Sequence, residues 1–302
     1  MSTAAAKMQE IARQHSFEVK SGERFEFGKN WGQFLELLNE ERILKAEESL
    51  GEMLEVDNLA GKTFLDIGSG SGLFSLAARR LGARVHSFDF DTNSFECTKE
   101  LRRRFFEQDK DWTIEQGSAL DREYLQSLGK FDIVYSWGVL HHTGSMWEAL
   151  DNASLAVKEK GTLFIAIYND TGSQARRWEW IKKTYCRLPK VLKTPFALLT
   201  ILPDEGKRFI SSVIRLKPLE FFQYWKNYTN SRGMNRWYDI IDWVGGYPYE
   251  VATPDEIFEF YKAKGFNLKK LKCGHVGLGC NEFVFHKENI TNRESNEVKG
   301  IY

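Results

Sequence analysis

The sequence predicts an α/β protein: a doubly wound, mostly parallel seven-stranded sheet, preceded by a helical lid and interrupted by a helical cap. Three observations carry this. Short apolar runs alternate with helix-patterned segments between residues 63 and 168. The alternation then gives way to helix-like pattern alone over 171–245. Two further strand-like runs close the pattern after residue 266. At 302 residues the chain can hold one such domain with a sizeable addition, and needs no disulfide or metal to stabilise it.

Residues 1–22 read as a polar, frayed leader. From Trp31 to Leu54 apolar residues recur at helical spacing (Trp31, Phe34, Leu38, Ile43, Leu50, Leu54). The first strand is Thr63–Ile67, and the helix after it, Phe74–Leu81, closes at Gly82. Arg84–Asp89 is a second strand, followed by a polar amphipathic helix from Asn93 to Phe106. Trp112–Gln116 and Phe131–Ser136 are the third and fourth strands, Met146–Val157 a helix, and Gly161–Tyr168 the fifth strand. Four of the six prolines, at 189, 195, 203 and 218, fall in the following stretch and should break its helices. Thr253 and Pro254 make a good helix start, with Thr253 as N-cap and Pro254 at the first position. That helix ends at Gly265. Phe266–Cys273 and Asn281–His286 complete the sheet across a glycine-rich turn. The division expected is a lid over 1–58, a ligand-binding domain over 59–170 and 251–290, and a cap over 171–250.

Forty-two basic residues balance 42 acidic ones, which argues against a protein whose business is coating nucleic acid. The cysteines at 97, 186, 273 and 280 form no C-x-x-C and lack the partners of a zinc site, so reduced thiols in a cytoplasmic protein are expected, with no metal. No apolar run approaches the ~20 residues of a membrane span.

A parallel sheet of this kind binds ligands at the carboxyl ends of its strands. Asp66-Ile67-Gly68-Ser69-Gly70-Ser71-Gly72 stands there, opening a helix. The glycines permit a tight turn and let a ligand approach backbone N–H groups. Asp89, ending the next strand, suits two ribose hydroxyls. The third glycine comes one residue early for a dinucleotide fingerprint, and the acidic Asp66 would repel a pyrophosphate but suit an ammonium. A P-loop is excluded, since no G-K-[ST] follows.

Phe64–Gly72 resembles the first motif of the class I S-adenosylmethionine-dependent methyltransferases, in particular their ubiquinone-type small-molecule branch. Gly117–Asp121 is similar to the family's adenine loop, with Ser118 where many members carry Asp, and Phe131–Thr143 resembles its fourth-strand motif. The resemblance implies a Rossmann-like methyltransferase sheet with S-adenosylmethionine as cofactor. It places Asp66 near the methionine amine and Gly68, Ser69, Gly70 and Gly72 beside the methionine portion. Asp89 falls on the ribose, and Phe90, Ser118, Ala119 and Leu120 about the adenine. Ser136, Trp137 and Gly138 line the methionine chain. Phe27 and Trp31 belong to an N-terminal lid over the cofactor.

Methyl transfer needs alignment and exclusion of water, and a base only where the nucleophile carries a proton. His141 and His142 follow the fourth strand and are candidate bases; a helix cap and a packed ring are the alternative. Tyr168, Asn169 and Asp170 end the fifth strand, either orienting a substrate or capping the next helix. In the cap, Arg232, Trp237, Trp243 and Tyr247 mix charge with aromatics ahead of or within a glycine turn and are candidate substrate contacts. His275 and Asn281, in the turn between the last strands, are further candidates. The basic, apolar stretch Arg187–Leu219 suits a membrane face, a lipid substrate or a homodimer contact.

The expected activity is methyl transfer from S-adenosylmethionine to O, N or C of a small molecule. The alternative is an intramolecular cyclase of the azetidine-2-carboxylate synthase type, which this fold also resembles: the cofactor's amine attacks its own γ-carbon, methylthioadenosine leaves, and no other substrate is needed. A nucleic-acid methyltransferase ranks below both.

Overall fold

The computed structural model describes residues 3–28, 35, 37–232, 236–274 and 279–288. The apolar runs become strands where both faces are covered: β1 (Thr63–Ile67), β2 (Arg84–Asp89), β3 (Trp112–Gln116), β4 (Phe131–Trp137), β5 (Val157–Tyr168), β6 (Phe266–Lys272) and β7 (Cys280–Lys287). They form one sheet in the order β3-β2-β1-β4-β5-β7-β6, parallel except for β7, which runs against both β5 and β6. Strand order reverses between β1 and β4, so the crevice opens at the ends of these two strands.

Alternation along β1 shows how the layers form. Phe64 faces a core with Ile43 and Leu50 of α2 (Glu40–Leu54), Leu76 of α3 (Leu73–Arg80) and Leu101 of α4 (Thr92–Phe105). Leu65 and Ile67 face the other side, with Leu125 of α5 (Arg122–Ser127), Leu150 of α6 (Met146–Leu155) and Tyr261 of α11 (Pro254–Ala263). Burying such side chains is worth roughly 1.5–3 kcal/mol each. Between β5 and α11 the chain makes four helices: α7 (Ser173–Arg187), α8 (Lys190–Ile214), α9 (Leu219–Arg232) and α10 (Arg236–Gly245). They share a small core of their own, built on Ile181, Tyr185, Ala197, Ile240 and Val244.

Thr253 caps α11 through a capping box with Glu256. Four expectations are corrected. Residues 3–21 are not a leader but a helix, α1 (Thr3–Ser21), with Ile11 and His15 buried one turn apart. The Trp31–Leu54 pattern is not one helix: Asn39 is extended (ψ 170°) and its side chain accepts from Arg42 N–H, so α2 starts at Glu40. Trp31 itself lies outside the described residues. β5 begins at Val157, where the sequence suggested the end of a helix. Pro195 and Pro203 do not break α8, which runs through both; each is exposed on the outer side, where a carbonyl without its donor meets water.

Candidate active site

The loop after β1 is bound to β2 from beneath. Gly68 and Ser69 N–H donate to Phe88 O (2.9 and 3.1 Å), and Gly70 N–H donates to Asp89 Oδ2 (2.8 Å). These amides, expected to be free for a ligand, hold the loop in place instead. Gly68 requires its glycine: φ is +79°, and a Cβ would meet Val139 Cγ1 at 2.3 Å. Asp89 also accepts from Asp91 N–H (2.8 Å). Asp66 accepts from Ser75 Oγ of α3 (2.5 Å). Ser75 lies 2.7 Å from Ser87 Oγ, which accepts from Trp112 Nε1 (2.9 Å). This buried chain of polar groups fixes the Asp66 carboxylate on its strand. Burial pushes both carboxyls up to about 7, Asp66 further raised by Asp89 and Asp89 by Asp91.

A cavity of about 1580 Å³ opens above this loop. Asp66, Gly68, Ser69, Gly70, Asp89, Phe90, Ser118, Ala119, Leu120, Trp137 and Gly138 line it, as do Phe27, His142, Tyr168 and Trp243. Other candidates lie behind its wall. Gly72 is the N-cap of α3 at φ +81°. Ser136 is buried and donates to Ile67 O (2.8 Å), pinning β4 to β1. His141 is fully buried beneath Tyr168 (ring centroids 4.0 Å apart) and accepts from Tyr168 N–H, so it faces the core and not the cavity. Asn169 accepts from Asn281 Nδ2 (3.0 Å), and the Asp170 carboxylate accepts from Gly172 N–H; all three side chains shape the stem of the insertion. Trp237 packs in the cap core, and so does Tyr247, whose carbonyl accepts from Phe25 N–H (2.8 Å). Arg232 ends α9 with its side chain outside the described residues, as is all of His275.

His142 points its Nδ1 at Pro248 O (2.5 Å). Burial, together with the Lys182 and Arg24 charges, outweighs this contact and lowers its pKa to about 3. Nδ1 therefore carries the ring's one proton, and Nε2 is an acceptor. Aromatic rings continue from it: Phe27 (4.8 Å), Tyr168 (5.4 Å), then Trp243 and Trp178 (5.9 and 5.3 Å). Behind them the Lys182 ammonium lies over Trp243 (4.4 Å) and donates to its carbonyl.

The far end of the cavity is polar and was only partly foreseen. Arg236 binds Glu205 of α8 (2.5 Å) and Asp239 (3.2 Å), and Tyr228 donates to Asp239 (2.6 Å). Arg236 and Asp239 stood in the mixed charged and aromatic stretch of the sequence; Glu205 had no local signal. The residues missed outright are in α1 and just after it. His15 Nε2 lies 3.3 Å from Asp91 Oδ2, and the His15 ring meets Phe90 edge-on. Arg24 covers Phe90 (5.0 Å) and donates to His142 O (2.7 Å). The i, i+4 pair Ile11 and His15 was the available clue. Among the described residues no group of His, Cys, Asp and Glu is placed to hold a metal.

An acidic, glycine-built crevice at the switch point of a doubly wound sheet is the architecture of a Rossmann-like fold. The methyltransferase-domain family matches residues 32–204, more than half of the chain, and the protein belongs to it. Over 102 residues the chain is 34% identical to the ribosomal protein L11 methyltransferase of Helicobacter hepaticus, covering 30% of this chain and 32% of that one. Over 107 residues it is 30% identical to the ubiquinone biosynthesis O-methyltransferase of Pelagibacter ubique, covering 35% and 42%. The match thus spans less than half the length of either relative. PKMT2 from Rickettsia typhi, solved with AdoHcy, shares the fold at a TM-score of 0.51 and 14% identity, over 81% of this chain and 53% of that one.

Proposed function

We propose that this protein moves a methyl group from S-adenosylmethionine to an oxygen, nitrogen or carbon of a small molecule. The observation that carries this is the continuity of one cavity. It runs from Asp66 and Asp89 at the sheet edge to Arg236 and Asp239 in the cap, and its 1580 Å³ exceeds the ~300–1,000 Å³ of a site for one small ligand. Residues 59–170 and 251–290 hold the cofactor in this reading, 1–58 cover it, and 171–250 supply the acceptor's half.

The cradle fits the cofactor by its chemistry. Asp89 accepts the ribose hydroxyls, Asp66 faces the ammonium, Phe90 with Ala119 and Leu120 takes the adenine, and Trp137 and Gly138 follow the methionine chain. Ten carboxylates and three guanidinium groups line the cavity, which suits a cationic ligand and opposes a polyanion, so a nucleic-acid acceptor is disfavoured. Bound S-adenosylmethionine supplies a methyl group already electrophilic on its sulfonium. His142 Nε2 then accepts a hydrogen bond from the acceptor and orients it, and the aromatic rings beside it limit the water around the reacting groups. A ring with a pKa of about 3 takes up no second proton at neutral pH, so Nε2 stays an acceptor. Four free cysteines support a reducing, cytoplasmic setting.

The rings of Tyr168, Trp178 and Trp243 beside the cavity also favour a second reading, the intramolecular cyclase, because aromatic faces attract and fold a sulfonium chain. Incubating the protein with S-adenosylmethionine alone and analysing the products by mass spectrometry separates the two. Methylthioadenosine with a four-membered amino acid establishes the cyclase. Cofactor that binds but is not consumed, followed by S-adenosylhomocysteine once an acceptor is supplied, establishes the transferase.

A further inference from the structure

We propose that the outer face of α8, continued by α9, docks onto a lipid bilayer surface rich in anionic headgroups. α8 carries apolar side chains on both its inner and its outer sides. Its inner side mixes Phe196, Ala197 and Ile201 of the cap core with Asp204, Glu205 and Arg208 lining the cavity. Its outer side is apolar: Val191, Leu198, Leu199, Leu202, Ile210 and Ile214 are between 50% and 80% exposed. Successive steps of seven, one, three, eight and four residues place them on one broad face, less than half of the helix circumference, along a helix about 37 Å long. Past its end Leu216, at 89% exposed, and then Leu219 and Phe222 extend the same patch. Isolated exposed hydrophobic residues need no explanation, but a continuous stripe of this length does.

The occupant follows from charge. Between Arg187 and Lys226 stand eight basic residues and three acidic ones, in a chain whose net charge is zero. A symmetric dimer through this face would bring the same net positive patch against itself, whereas a layer of anionic headgroups neutralises it. An apolar stripe flanked by Lys and Arg is the pattern of a helix lying in the plane of the interface. No helix among the described residues is long and apolar enough to cross a membrane, so the contact is peripheral.

The test is flotation of the full-length protein with vesicles of phosphatidylcholine alone or with phosphatidylglycerol added. At least fivefold more protein should float with the anionic vesicles, and the excess should fall several-fold at high salt. A Leu199→Asp/Leu202→Asp variant should lose at least tenfold of this binding while keeping its melting temperature and cofactor affinity, since neither side chain lines the cavity. Should that variant misfold, Lys190→Glu/Arg215→Glu reads the electrostatic half and should lose the preference for anionic vesicles. Equal recovery with both vesicle types overturns the proposal, and so does a solution dimer, seen by light scattering, that these variants dissociate.

Discussion

His15 of α1 and Asp91 at the head of α4 face each other at 3.3 Å, with Gly28 N–H donating to the same Asp91 oxygen at 2.9 Å. Asp91 is thus both the N-cap of α4 and the anchor of the amino-terminal segment. Burial raises its pKa, but His15 and the Gly28 and Asn93 amides outweigh that and hold the carboxyl below its ordinary value. Replacing His15 by Ala should cost about 1–2 kcal/mol. It should also speed amide exchange in α1 selectively and raise the cofactor's dissociation rate. Unchanged exchange in α1 would show that the helix is held by other means.

Asp89 supports the glycine loop and is assigned the ribose, so its two roles are separable by substitution. Asp89→Asn keeps one acceptor oxygen for an amide and should lose about 10- to 100-fold in S-adenosylmethionine affinity, measured by calorimetry, with a small change in melting temperature. Asp89→Ala should lose both. An affinity equal to wild type in Asp89→Ala would remove the nucleoside assignment.

The raised carboxyls give cofactor binding a pH dependence. With folded pKa values near 7, Asp66 and Asp89 stabilise the cofactor-free protein fully below their unfolded values near ~4, and that contribution is lost as pH rises through 7. A bound cation favours the ionised forms, so binding expels protons. S-adenosylmethionine affinity should rise between pH 6 and 7, by up to about tenfold per group per pH unit, and level off above. Titrations in buffers of different protonation enthalpy should report the released protons, and Asp66→Asn should flatten part of the rise. A flat affinity from pH 6 to 8 contradicts this.

Lys182 offers the opposite sign. Burial lowers its ammonium to about 7, so between pH 7 and the unfolded value near ~10.4 the unfolded chain holds a proton that the folded chain does not. Its contribution to stability rises across that window and is least below 7. Lys182→Met keeps the volume and removes the charge. Stability at pH 7 should increase by about 1 kcal/mol, and the difference from wild type should shrink by pH 9. Thermal melts at the two pH values are sufficient.

Gly68→Ala places a methyl group where Val139 already stands, at a backbone conformation that L-residues avoid. Loss of about 1–3 kcal/mol in urea unfolding and of measurable cofactor binding is expected. Gly61→Ala, also at positive φ (+75°) but with no neighbour within 4 Å, should cost less and leave binding intact.

The sheet was legible because its strands are locally complete. Thr63–Ile67 and Arg84–Asp89 announce themselves by composition and end in turn residues, and the acidic-glycine loop follows from the same few positions. What the sequence concealed depends on partners far along the chain. His15 matters only because Asp91 and Phe90 reach it. Glu205 belongs to the cavity only because Arg236 comes to it. His141 and His142 are adjacent in sequence, yet the short 3₁₀ turn at Leu140–His142 sends one ring into the core and the other to the cavity. The polar pattern of residues 3–21 reads as a leader because the surface that buries one side of that helix is built from later segments.

Asn169 and Ala252 form a parallel bridge at the base of the cap, with Ala252 N–H donating to Tyr168 O (3.0 Å) and Asp170 N–H to Ala252 O (3.1 Å). The excursion that begins at β5 therefore returns to the same strand edge before α11 starts. Because the entropy of closing such a loop grows only with the logarithm of its length, evolution can lengthen, shorten or exchange it while the sheet and the cofactor cradle stay as they are. On the proposed reading, the acceptor's half of the site is a module hung from a two-residue clasp.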